Sequence, residues 1–369
     1  MLKKFEVEGF KNFDYPLVID FSDIKQYTFN KNCIRDELLN TVIIYGKNAI
    51  GKTNLGLAIF DIVTHLVDRN VSPQLYDYYL NNQGNYSCAT FSYTFQFDDD
   101  EVVYSYKKTE VDNLLFESLK VNSKLLFMHD NSNKNDFFDD KFKSELSNLN
   151  FDYNNASIST LRYIVTNSQL EKDHIVRKMY DFISNMLWFR NLDEHRFIGL
   201  KDNVKKAKDY YDFIFEGNNL ELFQQLLVIA GVEDKLIVRS TPDKEKVLYI
   251  KGKQLLPFFK VASNGTKALY AYFYWSQNKN ISFLFIDEFD AYYHYELSEL
   301  LVKQLEGVAH QTLLTSHNTN LLSNSIMRPD CYFILTKSKI TSIARATDRE
   351  LREGHNLEKL YINGEFNES

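Results

Sequence analysis

Three cysteines in 369 residues, Cys33, Cys88 and Cys331, lie far apart and form no C-x-x-C pair, so neither a zinc site nor a disulfide framework is indicated. A reducing compartment is the natural expectation. No stretch approaches the roughly 18 apolar residues that span a bilayer, and the opening MLKKFEVEGFKNF has charges scattered through it. We therefore expect a cytoplasmic protein without a membrane partner. Positive charge is short as well: 50 acids against 43 bases leave a net charge of −7, which argues against an extended phosphate-neutralising surface and leaves room for a local basic patch. There are only five prolines and no internal repeat. Tyrosine (24) and phenylalanine (29) are plentiful but spread throughout rather than interleaved with basic clusters, a weak basis for nucleobase stacking. With 44% hydrophobic residues the chain can bury a core without staples, as two structural units or one large α/β domain with an insertion.

Against those absences stands IIYGKNAIGKTNL at residues 43–55, where an apolar run breaks into two glycines, a lysine and a threonine. Gly46, four free residues, then Gly51, Lys52 and Thr53 meet every fixed position of the phosphate-loop (P-loop) pattern. By chance, such a match has odds of about one in a hundred in a chain of this length. The flanks lower those odds: Thr41 to Tyr45 suits a buried strand, and Leu55, Ala58, Ile59, Ile62, Val63 and Leu66 recur at helical spacing. Glycines let successive backbone N–H groups turn inward on phosphate oxygens, and the helix N-terminus faces the same anion. Lys52 is then expected to reach the β- and γ-phosphates of ATP and the Thr53 hydroxyl to ligate Mg²⁺, with Asn48 and Asn54 beside them in the binding loop.

Strands dominate the first third. KKFEVEGF and YPLVIDF alternate, and CATFSYTFQF with VVYSYKKT around the acidic turn DDDE predicts a hairpin. Residues 129–157 are polar, rich in Asn and Asp and poorly periodic, and read as a surface excursion that marks an insertion. Beyond it Ile175, Met179, Phe182, Met186 and Phe189 lie at helical spacing, as do Leu220, Phe223, Leu226 and Leu227, stripes of the kind that pack in cores. The expected fold is α/β, a P-loop NTPase of ABC-ATPase type with an N-terminal β-rich subdomain and a mostly helical insertion. Its expected parts are residues 1–128 for the N-terminal lobe, 129–250 for the insertion and 251–369 for the C-terminal lobe.

In NISFLFIDEFDAYYHYEL, the apolar strand Ile281 to Ile286 ends in adjacent carboxylates, and strand ends are where open α/β sheets collect ligands. Asp287 is expected to complete the Mg²⁺ shell and Glu288 to orient or deprotonate the attacking water. Alone, this pattern is explained equally well by a helix cap. Beside a P-loop it becomes a hydrolytic site.

The order P-loop, Ser-x-Gly in ASNGTKAL (residues 262–269), Asp-Glu, then His317 in LLTSHNTNLL resembles the ATP-binding-cassette ATPases. The N-terminal FKNF, the variant SNGT, IDEFDAYYH with its trailing histidine and the C-terminal REGHNLEKLYINGEF narrow the resemblance to soluble ATPases of the RecF/SMC-like and OLD-like kind, the AAA-15/AAA-21 group common in bacterial anti-phage systems. It implies that Ser263 and Gly265 contact the nucleotide held by an opposite subunit and that His317 senses the γ-phosphate, next to Glu288 as the catalytic base. His294-Tyr295 replaces the usual histidine-proline, and Gln74 and Gln96 compete for the place of a coupling glutamine. Residues 129–260 lack the sustained heptads of an SMC arm, and the 52 residues beyond His317 are too few for the C-terminal nuclease of OLD proteins, so the effector is expected on another polypeptide. The implied function is a regulatory ATPase whose nucleotide-dependent homodimer, or higher homo-oligomer, controls a separate effector protein in anti-phage defence. A RecF-like clamp on DNA, with nucleic acid as partner, and a transporter-type motor subunit are the alternatives.

Overall fold

Thr41–Tyr45 is buried at all five positions, so it belongs inside a sheet covered on both faces. The computed structural model, which describes residues 1–67, 73–133, 135–146, 149, 158–190, 197–199 and 207–366, gives it that place. The sheet runs Phe197–Gly199, Met186–Arg190, Phe283–Asp287, Gln311–Thr315, Thr41–Tyr45, Tyr332–Leu335, Ile340–Ser342. Its five inner strands are parallel and its two edge strands antiparallel. Parallel register brings the C-terminal ends of the inner strands to one edge, so the P-loop, Asp287, Thr315 and Arg190 meet there although they are remote in sequence. The α/β P-loop NTPase architecture is therefore present.

A second sheet is antiparallel throughout, in the order Asn135–Phe138, Lys124–Asp130, Asn113–Val121, Asp100–Glu110, Ala89–Phe97, Leu2–Glu8, Leu17–Asp20. The hairpin expected around DDDE is here, turning at Asp98, which has φ +53°, and Asp99. Helix Lys52–Val67 lies between the two sheets and is buried over nearly its whole length. Toward the second sheet, its Asp61 carboxylate meets Lys108 Nζ at 3.0 Å and accepts the hydroxyls of Tyr79 at 2.9 Å and Tyr106 at 2.8 Å. Both charges are out of solvent, and the two hydroxyls satisfy lone pairs that the lysine alone would leave open.

Toward the first sheet the contact is closer. A Cβ on Gly56 would stand 2.6 Å from Trp188 Nε1 and 3.0 Å from Phe285 Cε1, so the helix approaches this tightly only because residue 56 has no side chain. We expect Gly56→Ala to destabilise the protein by up to about 2 kcal/mol, because overpacking costs about 1–3 kcal/mol and helix propensity returns about 1. Denaturant titration checks this; a midpoint that stays or rises would mean Trp188 moves aside freely.

Several expectations change. The helical stripe from Ile175 ends early: helix Ile175–Ser184 stops at Asn185, and Met186–Arg190 is a strand of the central sheet. The apolar spacing continues across that break because a strand buried on both faces is apolar at every position, so periodicity cannot mark the change. Helix Asn219–Ile229 carries Leu220, Phe223, Leu226 and Leu227 as expected, and is followed by a three-stranded sheet of Leu236–Ser240, Lys246–Lys251 and Leu255–Pro257. The anticipated divisions after residues 128 and 250 fall within Lys124–Asp130 and Lys246–Lys251. Within 129–157, strand Asn135–Phe138 and helix Asp140–Glu145 form, while residues 134, 147–148 and 150–157 lie outside the described ones.

Candidate functional site

The loop from Gly46 to Lys52 owes its curl to two residues of positive φ, Ala49 at +60° and Gly51 at +110°. Gly51 is required twice over, since its backbone lies in the left-handed region and a Cβ there would come 2.3 Å from Asn12 Nδ2. Asn12, from the turn after the first strand, pins the loop: it donates to Ile50 O at 2.9 Å and accepts from Asn54 Nδ2 at 2.6 Å. Lys52 opens helix Lys52–Val67, and its ammonium donates to Gly46 O at 2.8 Å and to Lys47 O at 3.4 Å. Burial lowers its pKa, while Asp287, Glu288 and Asp290 pull it back up.

Asp287 ends strand Phe283–Asp287 and is fully buried. Its two oxygens accept different hydroxyls, Thr53 Oγ1 at 2.7 Å and Thr315 Oγ1 at 2.7 Å. Burial pushes the carboxyl pKa above its usual range against the pull of those hydrogen bonds and of Arg190. The Thr315 hydroxyl in turn accepts the Glu288 N–H at 2.8 Å. Arg190, register partner of Asp287 on the adjacent strand, forks onto Glu288, with Nε 3.1 Å from Oε2 and Nη2 3.0 Å from Oε1. Next to them, Asp290 accepts from Ser316 Oγ at 2.8 Å, and burial raises its pKa.

A cavity of about 490 Å³ opens over these groups, lined by Asn48, Gly51, Lys52, Thr53, Asn54, Asp287, Glu288 and His317 among others. Gly46 joins through its carbonyl on Lys52. His317 stands at the rim, its pKa lowered by burial and by the charge of Lys52. Ser263 and Gly265 do not line this cavity: Ser263 caps helix Asn264–Ser276 by accepting Thr266 N–H at 3.1 Å, and is exposed. Gln96 sits in strand Ala89–Phe97 and donates to Asp98 O, and Gln74 lies exposed on a short turn; neither borders the cavity. His294 precedes helix Tyr295–Leu305 at the surface. Asn12, Arg190 and Thr315 were not singled out from sequence. FKNF contains Asn12 and LLTSHNTNLL contains Thr315, whereas no motif points to Arg190.

The oxygens suit a divalent cation that arrives with phosphate. Mg²⁺ is commonly bound by one or two protein oxygens with substrate phosphates and water completing an octahedron. Thr53 Oγ1 and Asp287 Oδ2, 2.7 Å apart at the cavity wall, are such a pair. Among the described residues, no group of three or more His, Cys, Asp or Glu could hold a metal by itself.

A family described as “AAA domain, putative AbiEii toxin, Type IV TA system” matches residues 42–323. Similar solved structures include the SMC head domain from Thermotoga maritima, with 14% identity, a TM-score of 0.40 and coverage of 92% of this chain and 98% of that one. The Smc head domain of Pyrococcus furiosus with an extended coiled coil, bound to the C-terminal domain of ScpA, has 15% identity, a TM-score of 0.45 and coverage of 92% and 96%. That of Pyrococcus yayanosii with a coiled coil and joint has 12% identity, a TM-score of 0.48 and the same coverage. No curated protein matches the chain.

Proposed function

The chain belongs to this AAA-domain family, and from that membership and the site geometry we propose a Mg²⁺-dependent ATPase whose nucleotide state controls a separate effector. The carrying observation is the Thr53 hydroxyl donating to Asp287 on the wall of a cavity that the P-loop also lines. Loop N–H groups and Lys52 hold the triphosphate, and Thr53 and Asp287 supply oxygens to Mg²⁺, which when bound neutralises charge on the phosphates. Glu288 accepts a proton from water as that water attacks the γ-phosphorus, the bond from phosphorus to the bridging oxygen breaks, and ADP and phosphate leave.

Ser263 stands exposed at the N-terminus of a 13-residue helix and outside the cavity of its own chain, which supports its acting on the nucleotide of a second copy. The family description names a toxin–antitoxin system. That supports a paired effector or antitoxin-like protein as partner and an anti-phage role. Among the described residues, no helix is long and apolar enough to cross a membrane, and cytoplasmic action is part of the proposal.

Action across subunits is tested by mixing. Ser263→Arg protein should bind ATP yet hydrolyse little, and mixing it with Lys52→Ala protein should rebuild at most one composite site per dimer, giving partial recovery of phosphate release. A mixture as inactive as its parents, under conditions where heterodimers demonstrably form, would remove the dimer from the proposal.

A further inference from the structure

Glu288 is held more firmly than the general-base role alone requires. Its backbone is at φ +53°, a left-handed conformation that a non-glycine residue keeps only where its surroundings enforce it. The N–H bond to Thr315 Oγ1 at 2.8 Å fixes that backbone from the strand on one side. From the strand on the other side Arg190 takes both carboxylate oxygens, at 3.0 and 3.1 Å. The same guanidinium has Nε 3.8 Å from Asp287 Oδ2, so one cation serves two adjacent acids that would otherwise repel each other. Glu288 lines the cavity and Arg190 does not.

We propose that Arg190 is a positioning residue for hydrolysis: its fork holds the Glu288 carboxylate in one rotamer at the cavity wall, ready to receive the proton of the attacking water. A free glutamate side chain has several rotamers to lose, and a planar bidentate donor removes most of that freedom before substrate arrives. A lysine at the same place would supply charge without the fork. Register brings Arg190 here, since strand Met186–Arg190 pairs residue for residue with Phe283–Asp287 and ends opposite Asp287. This inference rests on reading Glu288 as the base of an ATP-hydrolysing site.

The experiment is a double-mutant cycle on steady-state hydrolysis, run beside ATP affinity by calorimetry and melting of the nucleotide-free protein. Arg190→Gln should lower kcat by about 10- to 100-fold, the scale of a small misplacement of a catalytic group, and leave KM and ATP affinity within about three-fold. Arg190→Lys should recover part of the loss. In the Glu288→Gln background, Arg190→Gln should cost less than about two-fold more, because a residue that acts only through Glu288 has nothing left to position. Losses that multiply in the two backgrounds, a wild-type kcat for Arg190→Gln, or an ATP affinity that collapses with kcat would each overturn the proposal. Where melting shows that Arg190→Gln does not fold, Arg190→Lys in both backgrounds carries the same comparison. Wild-type protein that does not hydrolyse ATP, or Glu288→Gln protein at full rate, would instead mark failure of the site reading itself.

Discussion

In Glu288→Gln protein, phosphate release should fall by ~10²-fold or more while ATP still binds. Gln keeps the size and hydrogen-bonding reach of the side chain and loses the charge that lets it accept a proton. The oxygens of Thr53 and Asp287 and the loop around Lys52 are untouched by the change. ATP should therefore accumulate in the cavity, and if Ser263 of a second copy closes over it, the assembly should be trapped in that state with its effector locked in the matching condition. Light-scattering mass with and without ATP, beside steady-state phosphate release, reads both halves. Asp287→Asn is the control, because it weakens the cation site and should impair closure itself. Hydrolysis at the wild-type rate would make Glu288 a structural end to its strand; slow hydrolysis with no ATP-dependent change in mass or compactness would leave an ATPase without the switch.

Lys52→Ala should lower ATP affinity by about 10- to 100-fold, the equivalent of the roughly 1.5–3 kcal/mol that a charged hydrogen bond contributes. The fold should persist, since the lost ammonium bonds only the carbonyls of Gly46 and Lys47 within its own loop. Removing a charge whose burial already disfavours protonation also relieves a desolvation cost, so the melting temperature should move little. Calorimetry with ATP on protein shown to be folded decides the matter. Unchanged affinity would mean the loop does not hold phosphate.

The parts legible in sequence were those whose chemistry is local. The P-loop needs its glycines within six residues, the strand ending in Asp287-Glu288 is one apolar run, and the hairpin at Asp98 carries its own turn. What escaped notice is supplied from a distance. Arg190 reaches Glu288 across 98 positions, and Asn12 reaches Asn54 across 42. Thr315 lay inside a quoted motif, but only the parallel register shows that its hydroxyl joins Asp287 to the Glu288 backbone. Met186 and Phe189 lie in a strand although their spacing predicts a helix, because their residue types suit a helix stripe and a doubly buried strand equally.

The strand order of the central sheet also sets a timetable for synthesis. Thr41–Tyr45 emerges early, yet its two partners are Gln311–Thr315 and Tyr332–Leu335. At about 5–20 residues per second, an apolar strand with both edges open waits for tens of seconds before either neighbour exists. The antiparallel sheet from Ala89 to Asp130 can form meanwhile, because each of its hairpins joins adjacent segments. A ribosome-bound chain short of residue 311 therefore carries the whole phosphate loop with Asn12 to pin it but with neither of the parallel strands that flank Thr41–Tyr45. The cavity is complete only once Thr315 and His317 have been made, and until then the strand with both edges open is a natural client for chaperones.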